Sequence, residues 1–313
     1  MMIEKIGERN LIKKIMQLFP DITNDDSFYF EEEDKYILIT TDITNSLKHY
    51  PEGANPEKMG YFFVSLNLSD IAAMGGIPDY FFSSFSMSGK IEMEFFEGFL
   101  KGMKRCLDRY NVKLSGGDTK EGENFTVSGM VVGHVEKDKI MLRKNFRPGM
   151  YVGITNGLGK NAAGYYMWIN GEMEGADILL DIEPRINESI MLSDLGVRAA
   201  MDLSDGIFST VYQLKDLTGT GFRIFYDMIP RNPLVDYVVK NYSIDEREVL
   251  LNFGGEYEIF FGVEKDKWDI LHEKMAESGY SVSIIGETYD GENVLVEKNR
   301  EIKIEKRGYE HFA

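Results

Sequence analysis

Only one cysteine, Cys106, stands in the 313 residues. It excludes an intrachain disulfide framework and any multi-cysteine zinc site built within one chain. Its place in the helical run FFEGFLKGMKRCLDRY predicts a packed thiol rather than a nucleophile. No apolar run is long enough to cross a bilayer, and the opening MMIEKIGERN has no signal-peptide core, so a cytoplasmic protein without a membrane partner is expected. Positive charge is scarce: 35 Lys and Arg face 52 Asp and Glu, a net charge of −17. That argues against a nucleic-acid groove, which requires a basic face. It leaves open a nucleotide substrate, because bound metal can invert a local field. No local Ser/His/Asp or Cys/His pattern points to a nucleophile. Short repeats and low-complexity tracts are absent as well.

What is present suits a folded α/β chain. Apolar residues make up 43% and aromatics 12%, enough for a sizeable core. Ile12, Ile15, Met16 and Phe19 follow helical spacing and predict an opening amphipathic helix. Residues 36–42 read as a buried strand, and Asn55-Pro56 as a helix start that runs to Gly75-Gly76. A strand at 79–87, a helix at 92–110, and strands at 112–117 and 125–135 follow. Residues 136–148 are polar and lead into Arg147-Pro148-Gly149, a turn signal that reads as a domain linker. Beyond it strands and helices alternate: a strand at 150–155, helices at 160–170 and near 187–196, the AAMDL strand, a helix from Ser204, and four further strands around a helix at 265–278. The expectation is a two-domain α/β (α+β) chain, with domains 1–137 and 138–313.

Four aspartates sit at predicted element ends among apolar, Gly, Ser and Thr neighbours: Asp42 in ITTDIT, Asp70 in LNLSDIAAMGG, Asp118 in LSGGDTKEG and Asp205 in MDLSDGI. Two carboxylates ~4 Å apart repel by ~4 kcal/mol at an effective dielectric of about 20, so a cluster takes up protons or cations. Oxygen-only donors select hard cations, and Mg²⁺ commonly bridges carboxylates to substrate phosphates. Met59, Phe63 and Leu66 mark a buried helical stripe that Asn67 and Asp70 continue, which places a carboxylate on an apolar face. Ser115 to Thr119 is either a glycine turn with an Asx cap or an anion and metal loop. Ser204-Asp205-Gly206 is either an ordinary N-cap or a phosphate-facing helix start, with Asp202 two residues earlier. Gly157-Leu158-Gly159 with Ala162 fits GxGxxA, a match that an ordinary strand-to-helix turn explains equally, and its spacing is one residue too long for a P-loop. His49 lies in a loop-like run, as a surface side chain or an anion contact. The tail, with Tyr309, His311 and Phe312, is aromatic enough to be expected to pack.

In order along the chain, these segments resemble the thiamine-monophosphate kinase family, within the superfamily that includes aminoimidazole ribonucleotide synthetase. Gly7-Glu8 with Leu11-Ile12 resembles its GE..LI opening, and Asp25-Asp26 its GDDAA. Thr40-Thr41-Asp42 with His49-Tyr50 resembles its TTD and HF segment, and residues 67–75 its NLSDLAAMG. Gly116 to Thr119 is similar to GGDT, and Met201 to Gly206 to MD.SDG; Pro184-Arg185, Gly254-Gly255-Glu256 and the His311-Phe312 ending also fit. The resemblance implies several Mg²⁺ ions held by Asp25, Asp42, Asp70, Asp118, Asp202 and Asp205 with Thr40 and Thr41. It implies ATP contacts from Gly117, Asp118, Arg143 and Ser204. His49, Glu256 and Tyr309 would contact thiamine monophosphate, and a homodimer would form through the strands of the first domain. The implied reaction moves the γ-phosphoryl group of ATP onto the acceptor's phosphate by direct in-line transfer, with no covalent enzyme intermediate. Three positions depart from the family's pattern and bear on the acceptor: Ser46 where Glu is frequent, Lys160 where a helix-start Asp is common, and Tyr257 directly after Glu256, where an Asp normally intervenes. A ribonucleotide cyclo-ligase-type enzyme with another acceptor, or a catalytically weak ATP-binding regulatory protein, are the alternative readings.

Overall fold

Asn55 caps the helix that organises the first half. Its side chain accepts the Glu57 N–H at 2.8 Å, and Pro56 occupies the first turn, where a missing N–H costs nothing. The computed structural model describes residues 7–305. In it the helix spans Pro56–Ala73 (α2, after α1 at Glu8–Leu18), and nearly every side chain along it is buried. A helix apolar all round must be enclosed on all sides.

On one side lies a five-stranded sheet of β1 (Phe28–Glu32), β2 (Lys35–Asn45), β3 (Ile77–Met87), β4 (Lys113–Glu121) and β5 (Thr126–Glu136), in the order β1-β2-β5-β3-β4. All neighbours are antiparallel except β3 and β4. On another side lies α3 (Met93–Arg109), close enough that only glycine fits between. A Cβ on Gly60 would lie 1.9 Å from the Phe99 carbonyl oxygen, and one on Gly102 would lie 1.8 Å from that of Glu57. The outer face of this sheet is open and apolar: Phe28 is 49% exposed, Ile43 60% and Leu114 51%.

The second half builds a seven-stranded sheet, order β12-β11-β8-β10-β6-β9-β7. Its strands are β6 (Met150–Thr155), β7 (Ala199–Asp202), β8 (Gly221–Phe225), β9 (Ile259–Glu264), β10 (Val282–Tyr289), β11 (Val294–Glu297) and β12 (Arg300–Lys303). Helices α4 (Lys160–Ile169), α5 (Glu174–Leu179), α6 (Ile186–Asp194), α7 (Ile207–Thr218), α8 (Leu234–Tyr242) and α9 (Trp268–Glu277) surround it. One apolar cluster lies wholly in this half. The other starts under the first sheet and continues through α2 to Leu192, Phe261 and Met275. The 136–148 segment, read above as a polar linker, is part of that join. Met141 donates its N–H to the Met74 carbonyl at 3.1 Å and Leu142 to that of Arg198 at 3.0 Å, and Ile140, Met141, Leu142 and Phe146 are buried. Among the described residues no helix is long and apolar enough to cross a membrane.

Candidate metal and phosphate site

The site forms where α2 ends between the two sheets. Strand alternation turns Thr40 and Asp42 inward from β2, while Thr41 turns outward. Thr40 Oγ1 donates to Asp70 Oδ2 at 2.5 Å, fixing the carboxylate on the last turn of α2. One turn earlier, Asn67 Nδ2 donates to the Phe63 carbonyl at 2.8 Å, and its Oδ1 accepts the Asp42 N–H at 3.2 Å. Gly129 of β5, paired with Asp42, makes room: a Cβ there would lie 2.5 Å from Asn67 Oδ1.

The second sheet contributes Asp202, the last residue of β7, whose Oδ2 accepts from Ser69 Oγ at 3.1 Å. Asp26, buried just before β1, is ion-paired with the Arg143 guanidinium, and Arg143 Nε donates to its Oδ2 at 3.2 Å. The Arg143 N–H donates to Asp25 Oδ1 at 3.3 Å. Oxygens of Asp26, Asp70 and Asp202 all lie within 4.8 Å of one another. Three stretches distant in sequence therefore converge on one basin of carboxylates.

The electrostatics follow from burial. Burial, then Asp26, pushes Asp25 up to about 7, and burial pushes Asp42 up to about 6. Asp70 and Asp202 are also raised well above the usual carboxylate range, first by burial and then by neighbouring carboxylates. Arg143 is the local counter-charge: burial alone would lower it, but the Asp26 carboxylate beside it holds the guanidinium firmly protonated. Groups that resist ionising together are poised to bind protons or a cation. The donors are all hard oxygens, the set that suits Mg²⁺ rather than a soft metal.

Of the residues singled out in the sequence, Asp25, Thr40, Asp42, Asp70, Arg143 and Asp202 meet here. Asp205 stands at the approach to α7, where its Oδ2 accepts from Gln213 Nε2 at 3.2 Å. Ser204 is half-buried beside it, but Gly206, with φ 84°, takes the N-cap position, so the plain Ser204-cap reading does not hold. Thr41 Oγ1 donates to the Gly129 carbonyl at 2.7 Å, away from the basin. Gly117 and Asp118 lie on the exposed edge strand β4. Asp118 is ion-paired with Lys120 at 3.3 Å and registers with Ser84, Ser128 and the exposed Ile43, so one chain does not bring it to the basin. His49 Nδ1 accepts the Asn45 N–H at 3.2 Å. Tyr309, with His311 and Phe312, lies outside the described residues. Cys106 is buried, its thiol pushed up to about 12 by burial, as a packed side chain requires.

Glu256 explains the GxGxxA stretch. Its carboxylate accepts the Gly159 N–H at 2.9 Å and those of Asn161 and Ala162, so a protein side chain already fills the N-terminus of α4. A dinucleotide's pyrophosphate would need that place. Glu256 also borders a cavity of about 310 Å³ with Lys160, Asp181, Glu183, Arg185 and Glu258.

Two residues escaped the sequence reading as site members. Asp26 was visible beside Asp25, but a loop has no periodicity to say which carboxylate points inward. Tyr257 takes φ 53°, rare for a tyrosine, and donates its N–H to the Leu203 carbonyl at 3.0 Å, next to Asp202. Burial, and then Asp42, Asp202, Asp70 and Asp205, raises its phenol. The missing residue after Glu256 was the signal.

Comparison with known proteins shows the family to which this fold belongs. The AIR synthase related protein, N-terminal domain, family matches residues 24–135. Thiamine-monophosphate kinase of Pyrococcus horikoshii is 30% identical over 98% of this chain and 97% of its own length. That of Archaeoglobus fulgidus is also 30% identical, over the full length of both chains. The solved complex of AaThiL with AMPPCP and TMP superposes with a TM-score of 0.88 at 25% identity, covering 99% of each chain. Escherichia coli HypE, a hydrogenase maturation protein, shares the fold at TM-score 0.74 and 18% identity, over 95% of this chain and 97% of its own.

Proposed function

Because the chain belongs to the thiamine-monophosphate kinase family of phosphotransferases, we propose that it moves the γ-phosphoryl group of ATP onto the phosphate of thiamine monophosphate, giving thiamine diphosphate and ADP. The observation that carries this reading is the convergence of Asp26, Asp70 and Asp202 from three distant segments. The acceptor is already an anionic phosphate oxygen, so no strong general base is required, and direct in-line transfer needs positioning and charge neutralisation above all. Asp25, Asp26, Asp42, Asp70 and Asp202 would hold Mg²⁺, with Asp205 at the approach. When bound, the metal neutralises phosphate charge and orients the transferring group.

The protein's own groups then have distinct tasks. Thr40 and Ser69 aim the Asp70 and Asp202 carboxylates. Arg143 balances Asp26 and keeps the loop before β1 against the basin. With Ser204, we assign it to the ATP side. The 310 Å³ cavity is the acceptor pocket in this reading. Thiamine monophosphate carries a cationic thiazolium and an aminopyrimidine, which carboxylate and amide walls suit. Glu256 shapes that pocket from behind by capping α4, and His49 and Tyr309 are assigned to the acceptor.

We further assign most of the metal basin to residues 1–137, with Asp202 supplied from residues 138–313, which also complete both substrate sites. The open apolar outer face of the first sheet supports a homodimer. Gly117 and Asp118 lie along that sheet's edge, so their roles in binding ATP and metal are tied to the dimer. Incubating the protein with ATP, MgCl₂ and thiamine monophosphate and resolving products by chromatography tests the proposal. Thiamine diphosphate is expected, and its formation should stop in EDTA. Its absence at micromolar enzyme rejects the assignment, and conversion of another phosphorylated acceptor would favour the cyclo-ligase-type reading.

A further inference from the structure

The wall of the acceptor pocket is a short segment, residues 181–185, that joins α5 to α6. A connection of this length has no sheet or helix bonds of its own to hold it. Its three charged residues are each tied to a different element. Asp181 receives Lys160, the first residue of α4, at 2.5 Å on its carboxylate and 2.7 Å on its carbonyl. Arg185 donates to Glu258 Oε1 at 2.6 Å, just ahead of β9.

The middle tie crosses between the halves. Glu183 Oε2 accepts from the Tyr61 hydroxyl of α2 and the Tyr110 hydroxyl just past α3, both at 2.8 Å. Its Oε1 accepts from Arg109 at 2.8 Å. A carboxylate with three donors, one of them charged, is held in a single orientation. The same helix α2 carries Asp70 at its far end. One rigid element therefore bears both the metal basin and the anchor of the pocket wall.

We propose that Glu183 is a positioning residue that fixes the acceptor pocket against the phosphoryl-transfer basin by strapping residues 181–185 to the first half. This rests on the reading of the cavity as the acceptor pocket. The Asp181 tie is made by Lys160, one of the positions where this chain departs from the pattern it resembles. The strap acts on the acceptor alone, since none of its ties touches the carboxylate basin.

Steady-state kinetics with each substrate varied separately test the strap. Glu183→Gln keeps the shape but removes the charge that three donors share. It should raise KM for thiamine monophosphate by about tenfold, the scale of one lost charged hydrogen bond, and leave KM for ATP within about twofold. Tyr110→Phe should act in the same direction more weakly, and the double variant should be less than additive. If Glu183→Gln does not fold, Tyr110→Phe and Arg109→Lys carry the same readout. Lowered thermal stability with an unchanged acceptor KM would overturn the inference, as would equal loss on ATP. No turnover by the parent protein overturns the functional reading and the strap together; turnover with unaltered acceptor KM in the variants overturns the strap alone.

Discussion

Replacing Asp70 with Asn should stabilise the metal-free protein while abolishing its response to Mg²⁺. At the 4.8 Å limit that separates the Asp26, Asp70 and Asp202 oxygens, two full charges repel by roughly 3.5 kcal/mol at an effective dielectric of about 20. Arg143 offsets Asp26, which leaves Asp42 and then Asp202 as the carboxylates that press on Asp70. The Asn side chain still accepts from Thr40, but a charged hydrogen bond worth about 1.5–3 kcal/mol becomes a neutral one worth about 1. The net expectation at pH 8 is a gain on the order of 1–2 kcal/mol for the metal-free variant. The size of that gain depends on pH. The folded Asp70 is raised above its ordinary range, so above the unfolded value the native state holds the extra proton and parent stability falls as pH rises. At pH 5 the two proteins should therefore converge. Scanning calorimetry in EDTA and in MgCl₂ at both pH values reads this directly. Saturating Mg²⁺ at about 100 times Kd should add about 2.7 kcal/mol to the parent and little to the variant. Turnover of the variant should fall by at least about a hundredfold. A variant less stable than the parent in EDTA at pH 8, with an equal gain from Mg²⁺, would refute the reasoning.

Arg143→Met leaves the buried Asp26 without its counter-charge and should cost about 3–5 kcal/mol, read as a lower urea midpoint. Gly102→Ala pushes a methyl to 1.8 Å from the Glu57 carbonyl oxygen and should destabilise by about 3 kcal/mol; Gly89→Ala, with nothing within 4 Å, is the control and should be near neutral. Burial, then Glu258, raises Glu256 to about 8, so between about pH 5 and 8 the native state holds a proton the unfolded chain has released, and stability falls as pH rises. Glu256→Gln should flatten that slope in melting temperatures measured across the range; an unchanged slope would show that Glu256 is ionised in the fold.

Much of the first half was legible because its signals are local. Asn55-Pro56 starts α2 where expected, and the stripe of Met59, Phe63 and Leu66 does carry Asn67 and Asp70 inward. The family pattern supplied the site as a set, but not its facing. Period-two alternation in β2 separates Thr40 from Thr41, although both were assigned to metal. Asp118 matches its motif, yet β4 is an exposed edge and the chain alone does not carry it to the basin. The strands β1 and β12 were not recognised. Both sit at sheet edges with mostly exposed side chains, so FYFEE and REIK lack the apolar alternation that marks a buried strand. The helix α8 and the buried residues of 140–146 were missed because short segments between polar neighbours declare their burial only through tertiary packing.

The apolar cluster that passes from the first sheet through α2 into Phe261 and Met275 makes the two halves thermodynamically inseparable. A fragment ending near residue 137 would leave α2 with one flank bare and would aggregate rather than fold. Unfolding should accordingly proceed as a single cooperative event, and the cleft between the sheets can rearrange only by small sliding of packed surfaces, not by the swing of two independent bodies on a hinge.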